Sequence, residues 1–153
     1  MSNIRVSSVD ASRIPIGGVR QTRAWLLLTA VLALHILDKA LNNFLGFYNP
    51  LVENLRARMI WFPMPTFTLE MWLGGLIALV IILYLLSPLV RRGGIGIHIA
   101  SLLLSVIMFL NGSAHLIGSL YFQEWLPGAI SSPLLIFASI LLAHRTLERK
   151  RFG

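Results

Sequence analysis

The sequence contains no cysteine. That excludes disulfides, thiolate metal sites and cysteine nucleophiles, and leaves the redox compartment open. Charge is scarce too: 12% of residues are Asp, Glu, Lys or Arg, against roughly 25% in soluble domains. Acids are scarcest, with 6 against 13 basic residues and a net charge of +7. There is no internal repeat or low-complexity tract, and no nucleophile elbow, phosphate-binding loop or dinucleotide fingerprint. The space these would take is filled by hydrocarbon: 56% of the 153 residues are hydrophobic, and the mean hydropathy is +0.77. A single membrane-embedded domain is expected. A positive balance of this size can signal nucleic acid, but its placement along the chain ties it to a membrane, and no nucleic-acid partner is expected.

Apolar segments occupy 24–37 (running on through 38–48), 69–90, 95–110 (running on to about 122) and 129–143. A membrane span takes roughly 20 residues. The second segment meets this alone. The first and third meet it if their polar C-terminal turns remain helical, and the fourth sits at the lower limit. The fold class predicted is all-α, a polytopic four-transmembrane-helix bundle. Residues 1–23 form a basic tail, 24–145 the transmembrane domain with an outer loop at 47–68, and 146–153 a second basic tail.

The basic residues set the orientation. Arg5, Arg13, Arg20 and Arg23 precede the first span, Arg91 and Arg92 lie between the second and third, and Arg145, Arg149, Lys150 and Arg151 follow the fourth. The other side has only Arg56 and Arg58, with Lys39 near its edge. Both termini are therefore expected in the cytoplasm, with the 47–68 loop outside. Reading residues 1–33 as a cleaved signal ending "AVLA" is the rival, but a basic lead of 23 residues is long for one.

Local signals refine this outline. Pro88 is expected to end the second helix, Gly93-Gly94 to make the inner turn, and Pro127 to stand in the first turn of the fourth. "VENLRARMIWF" reads as a short interfacial helix, with Tyr48, Trp61 and Phe62 as belt aromatics. Gly74-Gly75 and Gly112 read as points of close approach between helices. Ser101 and Ser105 read as packing contacts, and His98 and His144 as interfacial.

The chemistry-bearing residues gather toward the outer side. At about 1.5 Å per residue, His35 falls about 16 Å into the first helix, near the midplane. His35, Asp38 and Asn42 share one helical face, as do Asn111, His115 and Ser119. Glu70 opens the second helix and Glu124 closes the third. Ionisable groups in a membrane are functional candidates by default, at a cost of at least about 2.5 kcal/mol each. The candidate catalytic residues are His35, Asp38 and His115, with His35 tuned by Asp38 for acid–base work. Asn42, Glu70, Asn111, Ser119 and Glu124 are the candidate substrate-binding residues. His35, Asp38, Glu70 and His115 would also suit a single transition metal, although the Glu-x-x-His pairs of di-iron bundles are absent. Structural readings compete with each: Asp38 pairing with Lys39 or across the bundle, His35 as an interhelical donor, Glu70 as an anion at a helix N-terminus.

Three stretches, "HILDK" at 35–39, "NGSAHLIGSLYF" at 111–122 and "WLPGAISSPLL" at 125–135, resemble the HXXEE family of small bacterial membrane proteins. A more distant similarity is to DoxX-like four-helix proteins. The HXXEE resemblance implies a bacterial inner-membrane location. His35 fits the motif, but Asp38 and Lys39 stand where two glutamates are expected, and lysine cannot replace a carboxylate ligand. The expected function is an outward-opening intramembrane His/carboxylate site that binds or transforms a hydrophobic or lipid-like molecule. The competing expectation is a non-catalytic accessory subunit of a larger membrane complex; a transporter comes third, for which the chain is short. Lipid or a small hydrophobic molecule is the expected partner, with other membrane subunits or a second copy as further candidates.

Overall fold

The computed structural model describes residues 16–59 and 63–151. The described chain is all-helical: α1 Ile16–Leu41, α2 Phe44–Arg58, α3 Leu69–Leu85, α4 Ser87–Arg92, α5 Ile95–Phe122 and α6 Ser132–Arg151. Three helical segments are long and apolar enough to cross a membrane: Gly18–Leu41, Leu69–Arg92 and Ile95–Phe122. Their outer faces expose Ile77, Ile81, Leu103, Val106, Phe109 and Leu110. A continuous apolar surface of this kind is foreign to soluble monomers and natural against acyl chains.

α1 is the axis of the bundle. Gln21, Trp25, Leu28, Leu32, His35 and Lys39 recur at intervals of three and four residues and are all buried, so one stripe of α1 faces the other helices. α6 answers with Ser132, Leu135, Ser139, Leu142 and Thr146, each nearly inaccessible. α5 contributes small residues, with Ser101, Ser105 and Gly112 buried. Small residues let backbones approach closely where water supplies no drive for association. A Cβ on Gly112 would lie 2.9 Å from Ile136 Cγ1 and 3.2 Å from the Ser132 carbonyl, which explains the glycine.

Five of the buried hydroxyls bond within their own helices. Thr29, Ser101, Ser105, Ser139 and Thr146 each donate to the carbonyl four residues back, at 2.7–2.9 Å, an exchange open to Ser and Thr without help from a partner. Among the described residues no buried side-chain N or O lacks a hydrogen-bond partner.

At the end holding the N-terminus of α1, Gln21 and Arg149 tie four elements together. Gln21 Nε2 donates to Ser101 Oγ at 3.1 Å and Thr146 Oγ1 at 3.3 Å. Arg149 Nη1 donates to Gln21 Oε1 at 2.9 Å and to the Val90 carbonyl at 2.7 Å, and Nη2 to the Arg92 carbonyl at 3.1 Å. The guanidinium thus caps the last carbonyls of α4, which have no partner within the helix. Gly93 and Gly94 make the turn at φ 85° and 125°.

The elements depart from the sequence reading at several points. α1 is helical from Ile16, eight residues ahead of the expected start at Ala24, because Gln21 is drawn into the packed end rather than into solvent. Pro88 does not end the second span but bends it: α3 stops at Leu85, Leu86 turns, and α4 resumes with proline at its first turn, where no N–H is needed. Trp25 Nε1 donates at 2.7 Å to the Leu83 carbonyl beside that bend. The short helix expected over 52–62 runs 44–58 instead. Its interior Pro50 removes only the bond to the carbonyl of exposed Gly46. Trp61 and Phe62 lie outside the described residues, as does the tail bearing Arg5 and Arg13. Pro127 lies in the turn before α6 rather than in its first turn, where Pro133 stands instead. Gly74 and Gly75 approach nothing: a Cβ on either meets open space.

This contrast between glycines is testable. Gly74→Ala is expected to be neutral or to stabilise by up to about 1 kcal/mol, the cost of glycine in a helix. Gly112→Ala is expected to destabilise, by about 1–3 kcal/mol for an overpacked site. Unfolding of both variants in the same detergent checks the order, and equal effects would remove the α5–α6 packing argument.

Candidate functional site

At the other end of α1 the helix cannot continue: Asn42 donates back to Asp38, and Asn43 takes a left-handed conformation at φ 53°. The chain turns into α2, which swings across this end of the bundle. Asn49 fastens the following strand of loop, donating to the Phe67 carbonyl at 2.9 Å and accepting from its N–H at 3.1 Å. Tyr48 Oη donates to the Pro65 carbonyl at 3.1 Å. Burial among these groups raises the Tyr48 phenol above its usual range. Rings then stack in sequence: Trp72 on Phe44 and Phe44 on Tyr48, both at 5.4 Å, and Tyr48 on Phe67 at 6.0 Å. An aromatic roof covers this end of the bundle.

Beneath it runs a chain of buried polar groups. Lys39 Nζ donates to Asn111 Oδ1 at 3.4 Å. The Asn111 amide nitrogen lies 3.2 Å from His35 Nε2, and His35 Nδ1 lies 2.8 Å from Ser131 Oγ. Ser131 Oγ donates to Asp38 Oδ2 at 2.6 Å. The donors order themselves. Because Asn111 uses its oxygen for Lys39, its nitrogen donates to Nε2; His35 therefore carries its proton on Nδ1 and donates to Ser131, whose one proton goes to Asp38. The series runs in one direction, from ammonium to carboxylate, around residues adjacent in sequence.

Asp38 is well held at its end. Besides Ser131 Oγ it accepts the Ser131 N–H at 2.9 Å and the Asn42 amide at 2.8 Å, so it caps the N-terminus of α6, where an anion is favoured. Gly128 makes the approach possible. Its φ is 91°, and a Cβ there would fall 2.9 Å from His35 Cε1 and 3.1 Å from Lys39 Cγ. His115 completes the cluster, its ring 5.1 Å from that of His35 and 5.9 Å from Phe44.

The predicted residues thus divide. His35, Asp38, Asn42, Asn111 and His115 come together. Ser119 lies apart, its Oγ accepting the Leu126 N–H at 3.0 Å to hold the turn after α5. Glu124 is exposed and borders a surface hollow with Ser119 and Trp125. Glu70 is exposed in the first turn of α3, with Thr68 capping that helix, and makes no described contact with the cluster. Three participants were not among the candidates. Ser131 precedes an apolar run beside Ser132 and Pro133, a helix-start signature. Lys39 follows His35 by one helical turn, which puts it on the same face. Gly128 was visible as half of a Pro-Gly break.

Next to this chain lies a cavity of about 280 Å³ between α1, α2, α3, α5 and the 63–68 loop. Its apolar walls are Leu32, Ile36, Leu76, Leu79, Ile107 and Met108, its aromatic side is Phe44, Tyr48, Phe67 and Trp72, and its polar groups are His35, Lys39 and Asn111. Asp38 does not line it. As to a metal, no three His, Asp or Glu side chains among the described residues stand together as ligands, and both nitrogens of His35 are already engaged. Nor do the geometry's hydroxyls form a nucleophilic triad: Ser131 stands between His35 and Asp38 rather than at the end of the series, and it lies outside the cavity.

Comparison with family models, with curated proteins and with solved structures finds no match to this chain. The HXXEE resemblance therefore rests on the three quoted stretches alone.

Asn111 serves two partners, so its loss should exceed that of an ordinary membrane hydrogen bond, which averages about 0.6 kcal/mol. Asn111→Leu keeps the side-chain branching while orphaning Lys39 and His35 Nε2, and a loss of about 1–3 kcal/mol is expected. Adding Lys39→Met should recover part of it. Strict additivity of the two losses in a double-mutant cycle would show that Lys39 and Asn111 are not coupled.

Proposed function

We propose that this chain is a four-span inner-membrane protein, both termini cytoplasmic, whose outer half binds a hydrophobic or lipid-like molecule in the cavity beneath the aromatic roof. The observation that carries the reading is the cavity itself: apolar and aromatic walls with a few convergent polar groups, the usual make-up of a small-molecule site. Its roof is built from the segment that the basic residues assign to the outer side, which supports an outward-facing site. The absence of a placed nucleophile or ligand set among the described residues lining it favours binding over transformation.

Support for the fourth crossing comes from the ends of α6. Ser131 lies level with Asp38 and Arg149 level with Gln21. From Gln21 to Asp38, α1 rises about 25 Å at about 1.5 Å per residue, so α6 traverses the same thickness antiparallel to it. Its apolar run ends at Ala143, and Arg145 and Arg149 then reach the basic side. Single cysteines replacing Arg56 and Lys150 are expected to react with an impermeant thiol reagent from opposite sides of the membrane. Labelling of both from one side would end the four-span reading.

Ligand occupancy has its own test. Native mass spectrometry of the protein released from mild detergent is expected to show a lipid-sized adduct, and Met108→Trp, which fills the cavity, should lose it. An adduct that persists in Met108→Trp would place the molecule elsewhere. Stoichiometric recovery of another membrane protein, with no small adduct, would favour the accessory-subunit reading.

A further inference from the structure

Lys39 is 8% exposed, and its surroundings do little to neutralise it. Its only hydrogen bond to a described residue is the long one to Asn111, 3.4 Å. The Phe44 ring centroid stands 4.7 Å from Nζ. Among the described residues no carboxylate oxygen comes within 4.0 Å of the ammonium. Asp38, its neighbour in sequence, is turned toward α6 and already accepts three hydrogen bonds. A buried ammonium is costly unless it is paired. Lys39 borders the cavity and also a smaller hollow of about 190 Å³ with Asn43, Phe44 and Leu69, and the described lining of neither holds an acid.

The other polar groups of the cavity are largely engaged. Asn111 is bonded through both its oxygen and its nitrogen, and His35 through both ring nitrogens. What Asn111 keeps is one neutral N–H; the charged donors belong to Lys39. Among the described residues no acid lines the space, so a cationic head would meet only like charge despite the aromatic walls that otherwise suit one. In low dielectric a charge-assisted bond to an anion outweighs one to a neutral oxygen. The volume, about 280 Å³, compares with about 150 Å³ for an apolar cavity that holds benzene, which leaves room for a head and several methylenes along Leu76, Leu79 and Met108.

We propose that the cavity beneath the aromatic roof binds a single-chain anionic amphiphile, a carboxylate or phosphate monoester, with Lys39 as the counter-ion of its head. This rests on the cavity being the binding site. A free inorganic anion would satisfy Lys39 but leave the apolar walls wet, so the amphiphile is the occupant the whole lining fits.

The test uses the full chain in phosphatidylcholine nanodiscs, with Trp72 in the cavity wall as reporter and Trp72→Phe subtracted to remove the other tryptophans. Bromodecyl phosphate, bromodecanol and bromodecyltrimethylammonium are compared as quenchers, each competed with its unbrominated form. The phosphate is expected to bind about tenfold more tightly than the alcohol, about 1.4 kcal/mol, and the cation more weakly than either. The preference should vanish in Lys39→Met and survive in Lys39→Arg. If Lys39→Met fails to fold, the wild-type ratio and Lys39→Arg still decide. Equal binding of phosphate and alcohol, or tighter binding of the cation, overturns the counter-ion role while leaving a hydrophobic site in place. Displacement by inorganic phosphate as readily as by decyl phosphate overturns the amphiphile. Absence of saturable Trp72 quenching by all three removes the binding site itself, and the proposal with it.

Discussion

Everything in this bundle answers to one constraint: inside hydrocarbon a polar group must find its partner within the protein. The series from Lys39 through Asn111, His35 and Ser131 to Asp38 is where that constraint binds hardest, since it links α1, α5 and the start of α6. No member is satisfied by its own helix alone. Remove α6 and Asp38 and His35 lose Ser131; remove α5 and Lys39 and His35 lose Asn111. The helices are therefore held in register by the need to complete the series, where apolar packing alone, with lipid as the alternative partner, would leave them free to slide.

A second polar layer at the opposite end works by the same rule with different chemistry. Gln21 and Arg149 bind one another, two hydroxyls and the carbonyls released at the end of α4. Between the layers the faces of α1 and α6 are apolar or small, and the hydroxyls there bond to their own backbone. Register is thus set at both ends while the middle is packed by shape. The bend at Leu86 belongs to this arrangement, because it brings the last turn of α4 under Arg149 and offers the Leu83 carbonyl to Trp25.

Much of this was legible in the sequence, and the limits are physical. Helical spacing revealed that His35 and Asp38, and likewise Asn111 and His115, share faces, because a period of 3.6 residues survives any tertiary arrangement. Glu70 reads as one of them in the sequence because depth can be read there while azimuth cannot; in the structure its side chain is exposed. Ser131 had no periodicity to reveal it, since it sits in a turn whose path is set by the left-handed backbone at Gly128. In the sequence Lys39 reads as a defect in a carboxylate motif. Its role appears only when Asp38 is seen turned toward α6, an outcome that depends on where α6 starts, and that start was displaced by the Ser131-Ser132-Pro133 cap. Trp61 and Phe62, expected in the aromatic belt, lie outside the described residues.

The separation of Lys39 from Asp38 is the feature with most consequence for function. Neighbours in sequence, they leave α1 about 100° apart, and the bundle uses that angle to send one charge toward the cavity and the other toward the N-terminus of α6. Direct pairing would have hidden both and left the cavity with an amide and an imidazole. Routing the contact through Asn111, His35 and Ser131 instead leaves the carboxylate with its partners and the ammonium with a single weak one. Reversing the assignment would also fail, because a lysine in place of Asp38 would set a cation against the N-terminus of α6, where the helix dipole disfavours it. The order acid then base after His35 is thus the one that this topology accommodates, and it is the order that turns positive charge toward the cavity.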